Sequence, residues 1–429
     1  MEKLTSWGKY PIIECEVSSP CSKNELQSLK GPAIARGLGR SYGDSALYTR
    51  VIRSGQFQRF ISFDQETGLL RCESGVTLDD ILDTFVPKGW FLSVTPGTKF
   101  VSVGGAIASD VHGKNHHIEG TFCDHVTSLS LMIDDKEYIC SPDVNSDLFR
   151  ATCGGMGLTG VITEATFRLK PIASSFIEQK VIKAKDLKTV LRLFEEYEES
   201  TYSVAWIDCL STGEHLGRSL LMLGEHANDG RLSTHKRGLL NVPCNMPSFL
   251  LNKFTIQAFN HAYYSKQLKQ EVNETVHYDS FFYPLDSIHN WNRMYGKDGF
   301  TQYQFVIPKT AGLQGLTEIL KTIAESKQGS FLAVLKVFGK ENSNLLSFPI
   351  EGYTLALDFK LTRKVCSLLE QLDVVVKKYK GRLYLSKDVR MSEDMFKSSY
   401  SNWEDFQNIR KRYAANLHYH SIQSNRIGL

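Results

Sequence analysis

Several features are missing from the 429-residue sequence, and each absence excludes a class of protein. No stretch of about 18 consecutive apolar residues occurs, which argues against a membrane-spanning helix, and the first residues lack the apolar core of a signal peptide. The nine cysteines include no Cys-x-x-Cys pair, so their spacing indicates no zinc site. We therefore expect a cytoplasmic protein whose cysteines are mostly buried, reduced thiols.

The sequence also lacks a large excess of positive or negative charge. Lys and Arg number 50 against 47 for Asp and Glu, and no long run of like charge occurs, so we expect no extended nucleic-acid footprint. The content of 42% hydrophobic and 23% charged residues is that of an ordinary globular protein, which excludes disordered and fibrous classes. The length exceeds one usual domain of roughly 100–150 residues and predicts two domains.

The apolar pattern changes character near Pro171. Before it, short strand-like runs alternate with glycine-containing turns: residues 69–76 predict a strand, and Thr77 predicts the N-cap of the next helix. Residues 126–140 predict a β-hairpin. After Pro171 the signals mix and fit a sheet covered by helices on one face. The predicted helices there are 187–197, 313–323 and 364–378, the predicted strands are 202–207, 302–307 and 353–359, and a basic helix is predicted at 403–413.

Three glycine-rich segments carry the strongest chemical signal. Ala35–Asp44 (ARGLGRSYGD) holds three glycines and a serine, whose successive backbone N–H groups can turn inward on a diphosphate. Thr95–His117 contains PGT, VGGAIASD and HGKNHH, and small residues at this density let a backbone lie against a flat ring. Gly154–Ile162 (GGMGLTGVI) repeats the pattern before a strand. A plain surface turn remains the competing interpretation of the first Gly-x-Gly.

None of the three segments is a doubly wound dinucleotide fingerprint or a P-loop. In this order they resemble the PCMH-type FAD-binding domain of the vanillyl-alcohol oxidase superfamily, and within it the decaprenylphosphoryl-ribose oxidase family. The resemblance covers nearly the whole chain, because it extends to HGKNHH from His112, WNR from Trp291, QYQF from Gln302, and GRLY from Gly381 with Lys387.

The resemblance implies an α+β fold with two domains. A two-lobed FAD-binding domain would comprise residues 1–172 and a returning C-terminal segment, 381–429, around a substrate-binding domain at 173–380 with an antiparallel sheet covered by helices. FAD would be non-covalent, because Arg40 stands where covalent members often carry a histidine. The implied cofactor contacts are Ala35, Arg36, Gly37, Leu38, Gly39, Arg40, Ser41, Tyr42, Gly43, Asp44, Ser45, Gly97, Ser102, Val103, Gly104, Gly105, Ser109, His112, Val161 and Tyr384.

The implied reaction moves a hydride from a carbinol carbon to the flavin and leaves a ketone. The implied substrate is the 2-hydroxyl of a polyprenyl-phosphate ribose, and a separate short-chain reductase would complete an epimerisation in cell-wall polysaccharide precursor synthesis. Lys387 would stabilise charge on the reduced flavin. Lys114 or His112 would take the hydroxyl proton. The implied substrate contacts are Tyr42, Trp206, Phe282, Gln302, Gln304, Lys336 and Thr354.

Some of these residues also have plainer interpretations. Lys114 could be a solvated surface lysine, and Lys387 an exposed lysine paired with Asp388. Lys336 stands inside the apolar run VLKVF and could snorkel to the surface. The three aromatic contacts could be ordinary core residues.

The polar residues of the predicted strands and the histidine segment leave two further alternatives. Gln302 and Gln304 alternate with apolar residues and could form the wet face of an edge strand. The histidines at 112, 116 and 117, with Asp110, could bind a metal if two of them shared a helix face; the neighbouring glycines disfavour such a helix, and we expect no metal.

The substrate's identity is less constrained than the flavin chemistry. Thr354 and Ala356 stand where mycobacterial members carry asparagine and cysteine, so an aldonolactone or alditol oxidase acting on a soluble sugar remains an alternative, as does a catalytically idle flavoprotein acting as a partner subunit. Residues 246–269 form an apolar and aromatic stretch edged by lysines. They predict either a core helix or a flap that contacts a prenyl chain or the inner face of the membrane.

Overall fold

The computed structural model describes the whole chain except residues 237, 239 and 248–250. The described strands are β1 (Glu2–Thr5), β2 (Ile12–Ser18), β3 (Ile34–Arg36), β4 (Arg50–Arg53), β5 (Phe60–Phe63), β6 (Leu69–Glu73), β7 (Trp90–Leu92), β8 (Val126–Ile133), β9 (Lys136–Cys140), β10 (Val161–Pro171), β11 (Phe176–Ala184), β12 (Tyr202–Ile207), β13 (Ser219–His226), β14 (Leu240–Asn241), β15 (Glu271–His277), β16 (Ile288–His289), β17 (Phe300–Pro308), β18 (Ala333–Phe338), β19 (Gly352–Lys360) and β20 (Arg382–Leu383). The described α-helices are α1 (Lys23–Ser28), α2 (Leu78–Phe85), α3 (Val103–Ala108), α4 (His116–Glu119), α5 (Ser146–Thr152), α6 (Leu187–Glu196), α7 (Lys253–Ser265), α8 (Tyr278–Phe282), α9 (Gly312–Ser326), α10 (Arg363–Lys378), α11 (Glu393–Ser399), α12 (Trp403–Arg412) and α13 (Ile422–Arg426).

Two sheets are built from the N-terminal part of the chain. One has the strand order β1-β2-β4-β3, and the other has the order β5-β6-β10-β8-β9, with β7 also paired to β10. The predicted hairpin is confirmed: β8 and β9 pair antiparallel around Asp134, which adopts φ 52° at the turn. An aspartate tolerates this left-handed conformation better than most residues.

Helix α2 begins where the sequence predicted. The Thr77 side chain accepts a hydrogen bond from the Asp80 N–H, and the Asp80 carboxylate accepts one from the Thr77 N–H, so the two residues form a capping box. Its apolar residues, Leu78, Ile81 and Leu82, are buried. Local chemistry therefore determines where this helix starts and which face it buries.

The middle of the chain forms an eight-stranded sheet in the order β15-β11-β13-β12-β18-β19-β17-β20. All predicted helices and strands of this region are confirmed, with bounds shifted by at most three residues. Helices α6, α9 and α10 form one layer, since α6 contacts α9, α9 contacts α10, and both α9 and α10 contact β17. The α+β class and the sheet covered by helices are thus confirmed.

The side chains of β17 alternate between the two faces of the eight-stranded sheet, one covered by helices and the other open. Tyr303 points toward the helix layer, where its hydroxyl donates to Asp373 of α10 over 2.9 Å. Gln302 and Gln304 alternate with it and therefore point away from the helices. The edge-strand interpretation is wrong, because β17 lies between β19 and β20.

The C-terminal segment is tied back to the N-terminal part by buried charges. Arg410 is buried, and its guanidinium donates to the carbonyls of Leu158 (3.0 Å) and Tyr419 (2.7 Å). Arg426 donates to the carboxylates of Asp44 (2.8 Å) and Asp388 (2.9 Å). The buried Arg410 is tolerated because carbonyl oxygens accept its hydrogens, and the half-buried Arg426 is paired with two carboxylates. The helix predicted at 403–413 is confirmed as α12.

Two properties bear on cellular context. Six of the nine cysteines are buried, and all nine are free thiols, as predicted. No described helix has the length and apolar character needed to cross a membrane.

Candidate active site

A cavity of about 820 Å³ lies where the glycine-rich segments meet the open face of the eight-stranded sheet. This volume is in the range of small-molecule and cofactor sites. Among the predicted cofactor contacts, those that line it are Ala35, Gly37, Leu38, Gly39, Arg40, Ser41, Tyr42, Ser45, Gly97, Ser102, Gly104, Gly105, Ser109, His112 and Tyr384. Among the other predicted site residues, those that line it are Lys114, Lys387, Trp206, Phe282, Gln302, Gln304 and Lys336.

Six predicted site residues do not line the cavity: Arg36, Gly43, Asp44, Val103, Val161 and Thr354. The Arg36 guanidinium donates to backbone carbonyls, and Asp44 is paired with Arg426. Gly43 packs so closely on the Asp388 carbonyl that a Cβ would clash. Arg36, Gly43 and Asp44 thus support the cavity wall, and the direct contacts predicted for the six residues stay predictions.

The glycine-lined end fits the FAD that the family resemblance implies. Gly39 has φ 64°, and no atom would meet a Cβ at Gly97, so the wall there faces open space. A Cβ at Gly37 would clash with the Ser102 hydroxyl, which shows how closely the first two glycine-rich segments approach. The Ser45 hydroxyl lines the cavity and is buried without a hydrogen-bond partner in the described part of the chain. An unpaired buried hydroxyl indicates a polar ligand at this end.

Three lysines line the cavity: Lys114, Lys336 and Lys387. Burial lowers the pKa of Lys114 to about 7. Burial, together with the charges of Lys114 and Lys387, lowers the pKa of Lys336 to about 7. Burial lowers the pKa of Lys387 to about 8, while the charge of Asp358 acts in the opposite direction. Perturbed amines clustered in a cavity are typical of a site that moves protons or stabilises anions.

Lys387 belongs to a buried cluster with Asp358. Its Nζ lies 3.9 Å from the ring centre of Tyr42. The Asp358 carboxylate accepts hydrogen bonds from the Gln302 amide (2.6 Å) and the Tyr295 hydroxyl (3.4 Å). Burial raises the pKa of Asp358 to about 7.

The surface-lysine interpretation of Lys387 does not fit this arrangement. Asp388, its proposed partner, pairs with Arg426 and accepts from the backbone N–H groups of Arg390 and Met391. Lys387 instead points into the cavity.

His112 lies between two polar side chains. Its Nδ1 is 3.2 Å from Lys336 Nζ, and its Nε2 is 3.1 Å from Gln304 Nε2. Burial, followed by the charge of Lys336, lowers the pKa of His112 well below its usual range, so the ring is neutral. Lys336 therefore ends at His112 inside the protein and does not snorkel.

The metal alternative required two histidines on one helix face. His112 lies before helix α4, which begins at His116, and the Nδ1 of His116 accepts the Gly339 N–H over 3.1 Å. Burial lowers the pKa of His116 to about 4. Within the described ranges, no three His, Cys, Asp or Glu side chains are grouped to hold a metal ion.

The remaining end of the cavity is aromatic. The Lys114 ammonium donates to the Phe281 carbonyl over 2.6 Å and lies 4.6 Å from the ring centre of that residue. The Trp206 indole donates to the Phe331 carbonyl (3.2 Å), and its ring centre is 4.7 Å from that of Tyr263. Met222 and Val276 continue this apolar lining.

Sequence reasoning missed several residues at the site. The Arg40 guanidinium lies 4.5 Å from the ring centre of Trp7. Asp286 lines the cavity, accepts the Lys99 N–H over 2.9 Å, and has its pKa raised by burial to about 6. The alternation of side chains along β19 could have identified Asp358, because it shares a face of that strand with Thr354. No pattern in the sequence marked Trp7 or Asp286 as site residues.

The comparisons with known proteins agree with this geometry. Residues 24–141 match the family described as FAD binding domain. The decaprenylphosphoryl-β-D-ribose oxidase of Mycolicibacterium smegmatis is 36% identical over 433 residues, covering 96% of this chain and 94% of the relative. An uncharacterised protein of Streptomyces coelicolor is 28% identical over 82% of this chain and its own full length. A putative D-arabinono-1,4-lactone oxidase of Neurospora crassa is 30% identical over 39% of this chain and 30% of the relative.

Fold, cavity and matches define the class: the protein is an FAD-dependent oxidoreductase acting on CH–OH groups. Within that class, the chain belongs to the decaprenylphosphoryl-β-D-ribose oxidase family.

Proposed function

We propose that the enzyme oxidises the 2-hydroxyl of a polyprenyl-phosphate ribose to the ketone, as the first half of an epimerisation that a separate short-chain reductase completes. The observation that carries the proposal is the combination of side chains in one cavity. Glycine-rich segments, three lysines and an aromatic cluster that includes Trp206 and Phe281 all line it. This combination suits a cofactor, an anionic sugar phosphate and a hydrocarbon chain, and the name of the Mycolicibacterium relative supports the same substrate class.

FAD is assigned to the glycine-lined end without a covalent link. The residues that would hold it are the cavity-lining members of the first two glycine-rich segments, with Tyr384, whose hydroxyl donates to the Ser109 carbonyl over 2.9 Å. The FAD unit comprises residues 1–172 and 381–429, and the substrate unit comprises 173–380. When bound, the flavin would supply the acceptor for a hydride, which carries the two electrons of the oxidation.

The protein contributes charge and proton transfer. Lys387 places positive charge in the cavity, where a group fixed before reaction stabilises developing negative charge at little reorganisation cost. The hydroxyl proton needs a neutral acceptor, and the lowered pKa values make Lys114 and Lys336 available as amines near pH 7. His112 is neutral, but both of its ring nitrogens are already engaged.

Anaerobic bleaching of the bound flavin tests the substrate class. The purified holoenzyme is mixed with a polyprenyl-phosphate ribose, with the same lipid phosphate lacking sugar, with free ribose, and with an aldonolactone and an alditol. Bleaching by the lipid-linked ribose alone is the expected result. Preference for the lactone or the alditol would establish the soluble-sugar alternative, for which Ala356 in the cavity wall is the structural argument. No bleaching with any of them would indicate an idle flavoprotein.

Contact with the inner face of the membrane is a second part of the proposal. The stretch 246–269 includes Phe249 and Leu250, which lie outside the described residues. The rest contains α7, whose Ile256 and Asn260 are buried while Phe254 is 78% exposed and Phe259 44% exposed. One face of α7 therefore packs as a core helix does, and the other offers aromatics flanked by lysines to a lipid surface.

A further inference from the structure

A chain of four polar contacts runs from the backbone of β17 to a lysine in the cavity. The Thr354 hydroxyl donates to the Phe305 carbonyl over 2.8 Å. Gln304 Nε2 lies 3.3 Å from Thr354 Oγ1 and 3.1 Å from His112 Nε2. His112 Nδ1 lies 3.2 Å from Lys336 Nζ. Each contact requires one hydrogen, so the positions of the hydrogens are linked along the chain.

Thr354 sets the direction of this chain. A hydroxyl carries a single hydrogen, and the 2.8 Å contact with Phe305 uses it. Toward Gln304 the hydroxyl oxygen can then only accept, which places the amide nitrogen and not the amide oxygen at that point. The second amide hydrogen points to His112 Nε2, so Nε2 accepts. A neutral imidazole with Nε2 as the acceptor carries its proton on Nδ1.

The proton position on His112 in turn determines the protonation state of Lys336. The Nδ1–H of His112 faces the lysine nitrogen at 3.2 Å, which accepts only as a neutral amine, and the backbone of Gly113 is a further hydrogen-bond partner of the ring. A charged Lys336 would donate to Nδ1 and move the imidazole proton to Nε2. Gln304 would then have to present its oxygen to His112. The single hydroxyl hydrogen of Thr354 could be donated to Gln304 or to the Phe305 carbonyl, but not to both. The charged state therefore leaves one of the four contacts without a hydrogen.

We propose that Lys336 rests as a neutral amine and takes the hydroxyl proton of the substrate, and that Thr354 is the positioning residue that sets this state through Gln304 and His112. The proton-transfer part rests on the proposed function, and the resting state does not. Thr354 and Lys336 are direct cross-strand partners on β19 and β18. The strand register therefore fixes both of these members of the series of polar contacts.

The charges around Lys336 also lower its pKa and so favour the neutral amine. Lys114 and Lys387 face it from the other walls of the cavity, and both lower its pKa. His112 and His116 also face it, and burial keeps both neutral by lowering their pKa values. No carboxylate appears among the groups that influence its pKa. An amine among cations and neutral rings favours the uncharged form.

In the proposed transfer, each bond that breaks is matched by one that forms. The substrate hydroxyl replaces His112 Nδ1–H as the donor to the Lys336 lone pair. The O–H bond breaks, its proton forms a new N–H bond on Lys336, and the carbinol carbon gives up a hydride, with two electrons, to the oxidised flavin. A ketone, an ammonium at Lys336 and the reduced cofactor result.

The resting state is tested by trace acetylation, because acetic anhydride reacts with the neutral amine only. The FAD-loaded protein without substrate is labelled from pH 5.5 to 9.5, and the extent of labelling at Lys336 and Lys321 is read by peptide mass spectrometry. Thr354→Val and Thr354→Ala remove the hydroxyl, and Thr354→Ser keeps it. Lys321 is the internal control, since it is exposed on helix α9 and does not line the cavity.

We expect Lys336 in wild type and Thr354→Ser to titrate with a midpoint near its pKa of about 7. In Thr354→Val and Thr354→Ala the midpoint should rise by at least about one unit, so that labelling of Lys336 at pH 7 falls at least about fivefold, while labelling of Lys321 is unchanged. Identical Lys336 titrations with and without the hydroxyl would overturn the inference. Because no substrate is present, failure of the lipid-linked ribose to bleach the flavin would contradict the proposed function and leave this result standing.

Discussion

Lys387 lies over the face of Tyr42, with its Nζ 3.9 Å from the ring centre, in a cavity wall where burial already lowers its pKa. A tyrosine face attracts a cation without neutralising it. The arrangement holds a positive charge at a defined place beside the glycine-lined end, where the family resemblance positions the flavin.

Replacing this lysine should affect chemistry and not folding. We expect Lys387→Ala to fold and retain FAD but to reduce the flavin with saturating substrate at least ~100-fold more slowly, the usual scale for loss of one electrostatic stabiliser. Stopped-flow bleaching measures the rate. Lys397→Ala, at a half-buried surface lysine paired with Glu393 and outside the cavity lining, is the matched control and should behave as wild type. A rate within a few-fold of wild type would remove Lys387 from the mechanism.

The pH profile of flavin reduction should be bell-shaped. The rate rises as Lys336 loses its proton, through its pKa of about 7, and falls as Lys387 loses its charge, through its pKa of about 8. The charge of Asp358 raises the pKa of Lys387. Asp358→Asn should therefore move the alkaline limb to lower pH, while the asparagine oxygen can still accept from Gln302. An unmoved alkaline limb would show that Asp358 does not act on Lys387.

The flavin should leave the protein on denaturation. Arg40 stands at the position where a bonding histidine would be, and its guanidinium is protonated and packed on Trp7, so it cannot attack the flavin. We expect heat or acid precipitation to release all the FAD into the supernatant, measured by its absorbance. Yellow colour remaining in the washed precipitate would show a covalent link.

Membrane binding should depend on the exposed face of α7. We expect Phe254→Ser with Phe259→Ser to weaken binding to anionic liposomes several-fold, because both rings are exposed and can enter the interface. Leu313→Ser provides the control, since Leu313 is 44% exposed on a different helix, α9. Co-sedimentation with vesicles measures the effect, and equal binding by the double variant and wild type would contradict the membrane contact.

Much of the local structure follows from short-range chemistry. Thr77 and Asp80 form their capping box three residues apart, and the alternation of β17 and the period of α10 can be read from neighbouring residues. The same holds for the glycine-rich segments, whose composition already indicated a backbone that approaches a ligand.

The contacts that give the site its chemistry join residues far apart in the chain. Gln302 meets Asp358 because β17 and β19 pair in a specific register, and His112 meets Gln304 from the opposite wall. Neither the pairing partner nor the burial that lowers the lysine pKa values is encoded in a local pattern.

The sequence by itself thus determined the class of the protein, many of its helices and strands, and a set of candidate residues for a flavin site. Only the tertiary structure decided which of those residues face the cavity and which support its wall. It placed Asp44 against Arg426, and Thr354 behind Gln304. The physical reason is that hydrogen-bond partners, burial and charge are properties of the packed chain, whereas helix caps and side-chain periodicity are properties of a few consecutive residues.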